Sequence, residues 1–277
     1  MLNIEQYEKN GVACPYNLSQ DNKILNLEKE YFKFQNQCEK HFGKKMSLKP
    51  NLLSTVFDKL AHDDQILKMV KKTIGENIYI WSSAFFFKAP KDGKIVSYHQ
   101  DNPYWQLTTN KVVTAWIALT PSNKNNGALE VVPKSYKLGL INKLDVNNPR
   151  QSYLNGEKTT SDEDLLSYNQ NLDNFINDNT PVVLNLNAGQ FSLHHVNTVH
   201  GSGPNISSEN RIGFAVRYIS SETKHEFEKA DSGIHVCGKK NSYYSEEKRP
   251  LIDFGKEEIK TFEIAMNSAG AFGNKKY

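Results

Sequence analysis

Ile78-Tyr79-Ile80-Trp81-Ser82-Ser83-Ala84-Phe85-Phe86-Phe87 is the stretch on which the reading of the fold turns. It is dense in β-branched and aromatic residues, which suit a pleated, buried surface. It is about half the ~20 residues needed to cross a bilayer, and two serines interrupt it. The same texture returns at Val112 to Leu119, Leu129 to Val132, Val182 to Leu186, Phe191 to His195 and Ile212 to Ile219. Clusters of Gly, Pro, Asn and Asp separate these runs, as they separate short strands. Such punctuation predicts a sandwich or jelly roll rather than a βαβ sheet. Neither GxGxxG nor GxxxxGK[ST] occurs, so no phosphate-cradling loop of the usual kinds is expected.

Upstream of Asn77 the pattern is helical. Ile24, Leu27, Tyr31, Phe34, Cys38 and Phe42 recur at spacings of three or four, predicting one helix from Asp21, its N-cap, to a stop at Gly43. A second helix is expected from Asp63 or Asp64 to Gly75, turning Ile66, Leu67, Val70 and Ile74 inward. Between Lys137 and Thr180 the chain is polar and rich in Asn and Asp, with a short helix expected around Asp162 to Phe175. So long a connection reads as a lid-like insertion. The expected organisation is a single domain over 1–277, with a helical part at 1–76, a β core at 77–220 carrying the insertion 137–180, and a polar C-terminal extension at 221–277.

Composition narrows the function. With 38% hydrophobic and 23% charged residues, the chain can build a core. Its 34 Lys+Arg against 31 Asp+Glu give +3, spread thinly, so no nucleic-acid partner is expected. Three distant cysteines, Cys14, Cys38 and Cys237, argue against a disulfide framework. With no secretory pattern in Met1-Leu2-Asn3-Ile4-Glu5-Gln6-Tyr7 and no membrane span, a cytoplasmic location is expected.

The chemistry centres on His99-Gln100-Asp101 and His200. On an extended strand, residues two apart share a face, so His99 and Asp101 could occupy adjacent positions on one metal ion. A histidine from another strand would complete a triangular face and leave three positions open, a set that favours non-haem Fe(II). After His200, Gly201-Ser202-Gly203-Pro204-Asn205 turns the chain, and Arg211 opens the next run. Antiparallel pairing of the two runs would place the Arg211 guanidinium, a two-pronged carboxylate binder, beside His200. His194 and His195 face opposite sides of a strand, and His194 has the parity of His200.

Tyr98-His99-Gln100-Asp101, Thr114-Ala115-Trp116-Ile117-Ala118-Leu119, Asn126-Gly127-Ala128-Leu129, Val132-Pro133-Lys134-Ser135 and His200-Gly201-Ser202-Gly203-Pro204-Asn205 with Arg211 together resemble the phytanoyl-CoA dioxygenase family, in the family's order, from about Trp81 to Ile219. The resemblance implies a mainly β chain with flanking helices, its core a double-stranded β-helix (jelly roll, cupin-like) behind N-terminal helices. It implies an Fe(II)- and 2-oxoglutarate-dependent dioxygenase with His99, Asp101 and His200 as metal ligands. It further implies Arg211, Ser202 and Trp116 as 2-oxoglutarate contacts, O₂ as co-substrate and ascorbate as a stimulant. Ala84 stands where some relatives carry a longer side chain near the co-substrate. The family's VPGSH is Val132-Pro133-Lys134-Ser135-Tyr136 here. Halogenating relatives replace the carboxylate with a small residue, so Asp101 implies hydroxylation, or a related oxidation such as desaturation. The expected reaction hydroxylates an unactivated C–H of a small polar metabolite, releasing succinate and CO₂. Tyr104, Trp105, Gln106 and His194 are expected at the substrate mouth. The competing readings are a Zn²⁺ hydrolase or isomerase on a jelly roll, because the same ligands can activate water, and a non-catalytic binding module.

Overall fold

The computed structural model describes residues 4–23, 25–147, 149, 152, 157–226 and 228–268. Its strands are β1 (Val12–Asn17), β2 (Ile78–Lys88), β3 (Val96–His99), β4 (Val112–Ala118), β5 (Glu130–Val131), β6 (Val182–Val183), β7 (Gln190–His195), β8 (His200–Ser202), β9 (Arg211–Ser220), β10 (Asp231–Cys237) and β11 (Tyr244–Glu246). They form a seven-stranded sheet, β1-β7-β4-β9-β2-β10-β11, and a four-stranded sheet, β3-β8-β5-β6. All pairings are antiparallel except β10 with β11. This is the mainly β, jelly-roll architecture with flanking helices.

The central strands of the large sheet read as continuous apolar runs because both faces are covered. Phe85, Phe214, Ile117 and Phe191 stand in register across β2, β9, β4 and β7. They belong to the core shared with the helices Leu27–Phe42, Thr55–Ala61 and Asp64–Ile74. Phe57 meets Phe34, Phe85 and Phe214 with ring centroids 4.7–5.5 Å apart. Fully burying each such ring contributes roughly 1.5–3 kcal/mol. The alternate residues, among them Ala84, Trp116, Ala215 and Arg211, face the small sheet and line the cavity between the two.

The helix Asp64–Ile74 begins and ends as expected, with Asp63 accepting from the Gln65 and Ile66 N–H groups and Gly75 closing it. The first helix is shorter than its pattern predicts. It starts at Leu27, capped by Asn26, and ends at a left-handed Gly43, while Asp21 lies in a separate turn, Gln20–Lys23. Ile24 lies outside the described residues. The large sheet also recruits β1 from the stretch expected to be helical, and β10 and β11 from beyond residue 220. The expected helix of the insertion is displaced to Asp173–Asp178; residues 162–168 form turns and bends instead. Those turns are tied to the start of β3: the Ile95 N–H donates to the Glu163 carbonyl, the Ile95 carbonyl accepts from the Leu165 N–H, and Asp164 accepts from Ser97.

Candidate active site

His99 ends β3 and His200 opens β8, directly opposite it in register. Asp101 is not on the strand with His99. It is the N-cap of the short helix Asn102–Trp105 with φ −70° and ψ −39°, so a turn brings its carboxylate to the imidazoles, not strand parity. His200 begins a strand instead of ending one, and β8 and β9 sit in different sheets. Arg211 therefore reaches the cavity from the large sheet, not from a strand paired with β8.

One ligand atom from each of His99, Asp101 and His200 lies within 4.8 Å of the others. Among the described residues this is the group of His, Cys and acidic side chains with metal-site spacing. His99 Nδ1 donates to the Ser97 carbonyl at 2.8 Å and His200 Nδ1 to the Thr198 carbonyl at 2.9 Å. A carbonyl only accepts, so both Nδ1 atoms carry hydrogen and Nε2 is the atom each ring can offer to a metal. Burial, reinforced by His99, holds His200 well below the usual histidine range and hence neutral. Burial works against charge on Asp101, but the imidazoles of His200, His99 and His194 outweigh it and hold the carboxyl below its usual range. Two imidazole nitrogens and one carboxylate, all buried, suit a divalent first-row ion.

The cavity has a volume of about 570 Å³. Tyr104, Trp105, Trp116, Ser202, Arg211 and His194 all line it, as does Ala84. Gln106 does not. It closes the short helix in a left-handed conformation, φ 48°, and its backbone leads the chain away. His194 reaches His200 across the cavity from the opposing sheet, ring centroids 4.7 Å apart, and burial pushes its pKa down to about 4. Its Nδ1 is buried without a hydrogen-bond partner among the described residues. His195 points the other way, between Tyr7 and Tyr136. From the insertion, Leu165, Leu166, Ser167 and Tyr168 roof the cavity, and the Tyr104 hydroxyl donates to the Tyr168 carbonyl.

The Trp116 ring lies against Gly213: a Cβ there would sit 2.0 Å from the indole. The Arg211 guanidinium carbon is 5.5 Å from the same ring's centroid, a cation–π distance. Gly213→Ala must therefore displace the indole. It is expected to cost about 1–3 kcal/mol in chemical denaturation and to unseat Arg211; an unchanged midpoint would contradict this packing.

Two charged residues, one beside the cavity and one in its lining, were not anticipated. Lys88 is opposite Arg211 in register, and its Nζ donates to Ser202 Oγ at 2.6 Å and to the Ser202 and Gly203 carbonyls. Burial first, then the Arg211 charge, push its pKa down to about 7. Arg217 interrupts the apolar run from Ile212 to Ile219 in β9 and lines the cavity. Burial pushes the Arg211 pKa down to about 10, which leaves it charged at neutral pH.

A family model described as Phytanoyl-CoA dioxygenase (PhyH) matches residues 7–213. A probable alpha-ketoglutarate-dependent hypophosphite dioxygenase of Stutzerimonas stutzeri is 28% identical over 173 residues, 62% of this chain and 56% of that one. An ectoine dioxygenase of Halomonas elongata is 27% identical over 165 residues, 57% of this chain and 48% of that one. The chain thus spans about half the length of the curated relatives it matches. Among solved structures, a non-heme monooxygenase (ThoJ–Ni complex) superposes with a TM-score of 0.73 at 23% identity, covering 95% of both chains, which is a likeness of fold. Among the described residues no helix is long and apolar enough to cross a membrane.

Proposed function

The chain belongs to the phytanoyl-CoA dioxygenase family, and on that premise we propose that it is an Fe(II)- and 2-oxoglutarate-dependent dioxygenase that hydroxylates a C–H bond of a small molecule. His99, Asp101 and His200 hold the metal. The observation that carries this reading is a buried two-histidine, one-carboxylate cluster sharing its cavity with Arg211, beside which Lys88 is buried. A metal hydrolase has no need of two buried cations there; a dicarboxylate co-substrate does. When bound, iron with 2-oxoglutarate and O₂ supplies the oxidant for the C–H bond, with succinate and CO₂ as by-products.

The residues divide the remaining work. Ser97 and Thr198 carbonyls fix the tautomers and ring planes of the two histidines. Arg211 holds the distal carboxylate, Lys88 adds its charge from behind Ser202, to whose hydroxyl it donates, and the Trp116 ring lies against the guanidinium. The aromatic wall and the roof at 165–168 exclude water from the reacting centre. The test is succinate formation by protein loaded with Fe(II) under O₂, with ascorbate and a panel of small-molecule substrates. Fe(II)-dependent, 2-oxoglutarate-dependent succinate is expected. A fully metallated protein that binds no 2-oxoglutarate by calorimetry would return the site to a hydrolase, an isomerase or a binding module.

Lys88 gives this reading a pH signature. A bound dianion favours the protonated amine, whereas burial favours the neutral one in the free protein. Above about pH 7, co-substrate binding must take up a proton. Affinity for 2-oxoglutarate is therefore expected to be highest below that pH and to weaken above it, by up to about tenfold per pH unit. Calorimetry with Mn(II)-loaded protein between pH 6 and 9 measures it; a flat profile would remove Lys88 from the carboxylate.

A further inference from the structure

β9 places two guanidiniums on one face of the cavity wall. Residues 211, 213, 215 and 217 alternate inward, so Arg211 and Arg217 stand at the ends of a row with Gly213 and Ala215 between them. Their backbone positions are about 20 Å apart along the strand, and the two guanidiniums pack on different rings, Arg211 on Trp116 and Arg217 on Trp105 and Phe86. Arg217 lies at the other end, in register with Thr114 of β4, which is itself in register with His194 of β7. It is 7% exposed, and its guanidinium carbon is 5.4 Å from the Trp105 ring and 5.9 Å from Phe86. Asp101 is close enough to favour its charge against the burial that disfavours it.

The cavity as a whole is cationic. Among the described residues its lining carries Lys45, Lys94, Arg211 and Arg217 against one carboxylate, Asp101. A divalent ion, Asp101, Arg211 and a dicarboxylate co-substrate together carry no net charge, which leaves Arg217, Lys45 and Lys94. The space beyond the metal therefore stays positive with metal and co-substrate in place. Around Arg217 the walls include the rings of Phe86 and Trp105, and Tyr104 lines the same cavity. A volume of about 570 Å³ is within the range of sites for drug-sized ligands.

We propose that Arg217 determines substrate specificity, and that the primary substrate is an organic anion: Arg217 holds its carboxylate, phosphonate or sulfonate while an apolar body lies along Phe86 and Trp105. The inference rests on the oxygenase reading of the site and narrows the expected polar metabolite to one with a charged end. The planar fork of the guanidinium matches all three oxyanions, and its aromatic neighbours fix the plane. Anchored there, beside Asp101, the substrate presents the atoms next to its anion to the metal.

The test uses the full chain loaded with Mn(II) and 2-oxoglutarate, titrated calorimetrically with probes on one skeleton. These are 3-phenylpropionate, 2-phenylethylphosphonate, 2-phenylethanesulfonate, the neutral 3-phenylpropionamide and the cationic 3-phenylpropylamine. At least one anion is expected to bind about tenfold or more tightly than the amide, and the anion preferred identifies the headgroup. Arg217→Gln should remove that preference while leaving the amide and 2-oxoglutarate affinities unchanged; Arg217→Lys, which keeps charge but not the fork, should retain part of it. A wild-type protein without anion preference, or one that binds no anion, overturns the proposal. So does a preference that survives in Arg217→Gln, or, if that variant does not fold, one undiminished in Arg217→Lys. Loss of 2-oxoglutarate or Mn(II) affinity in Arg217→Gln would assign the residue to supporting Asp101 instead, and overturns it as well. Absence of Mn(II)-dependent 2-oxoglutarate binding in the wild-type protein is a separate result, which removes the oxygenase reading itself.

Discussion

His200→Ala is expected to lower Fe(II)- and 2-oxoglutarate-dependent turnover by about a thousandfold or more and to abolish the rise in Tm that a divalent metal gives the wild-type protein. The imidazole is 6% exposed, and its Nδ1 is committed to the Thr198 carbonyl. Its Nε2 is 3.9 Å from Asp101 Oδ1, so it supplies the third corner of the cluster. Removing it leaves His99 and Asp101, two donors on one side of the ion. At a hundredfold excess over Kd, metal binding adds about 2.7 kcal/mol to stability, which for a chain of this size is roughly 5–10 °C in Tm. That increment, not the Tm of the metal-free protein, separates a lost ligand from a lost packing contact. His195→Ala is the matched control. Burial pushes the His195 pKa down to about 4, as it does that of its neighbour His194, but its ring packs between Tyr7 and Tyr136 on the far side of the sheet. It should cost stability and leave the metal-induced shift intact. Equal metal-induced shifts in wild-type and His200→Ala protein would break the cluster as a metal site.

How far the sequence exposes this architecture depends on where each element sits. β2, β4, β7 and β9 lie in the interior of the large sheet with both faces covered, so burial alone dictates the β-branched and aromatic runs that reveal them. β1 is an edge strand, Val12-Ala13-Cys14-Pro15-Tyr16-Asn17, whose proline lacks the donor an interior strand needs. β10 opens on Asp231-Ser232-Gly233, residues that mark a loop wherever tertiary pairing does not override them. Asp21 and Asn26 are both competent caps, and only packing decides that the long helix starts at the second. At the site, the spacing of His99 and Asp101 was legible while its geometric cause was not: a helical turn, and not a shared strand face, brings them together. Lys88 escaped because it is adjacent to Arg211 only through the β2–β9 register, a pairing across more than a hundred residues that local pattern cannot fix. Arg217 did leave a signal, a lone charge in a fully buried run and in phase with Arg211. Parity along β9 would have placed both in the cavity.

Arg211→Gln is expected to weaken 2-oxoglutarate binding by about 30- to 4000-fold, the 2–5 kcal/mol that follows from truncating one partner of a buried, hydrogen-bonded charge pair. Arg211 is 2% exposed, and its Nε has no hydrogen-bond partner among the described residues. A dicarboxylate would therefore satisfy donors that the protein leaves unmet. Glutamine keeps one amide donor and loses both the charge and the fork. The variant also carries a signature that a simple loss of affinity would not. In the wild-type protein the Arg211 charge is, after burial, the main influence pushing the Lys88 pKa down to about 7. Without it the amine is protonated over a wider range, so the pH at which the remaining 2-oxoglutarate affinity declines should move upward. Lys88→Met should do the opposite: weaken binding yet flatten its pH dependence between 6 and 9, because Arg211, with a pKa near 10, stays charged across most of that window. The pair of profiles tests the coupling of the two cations and not merely the presence of each. Wild-type affinity in Arg211→Gln would dismiss the guanidinium as the co-substrate's anchor, and an unchanged decline with pH in Lys88→Met would dismiss the amine.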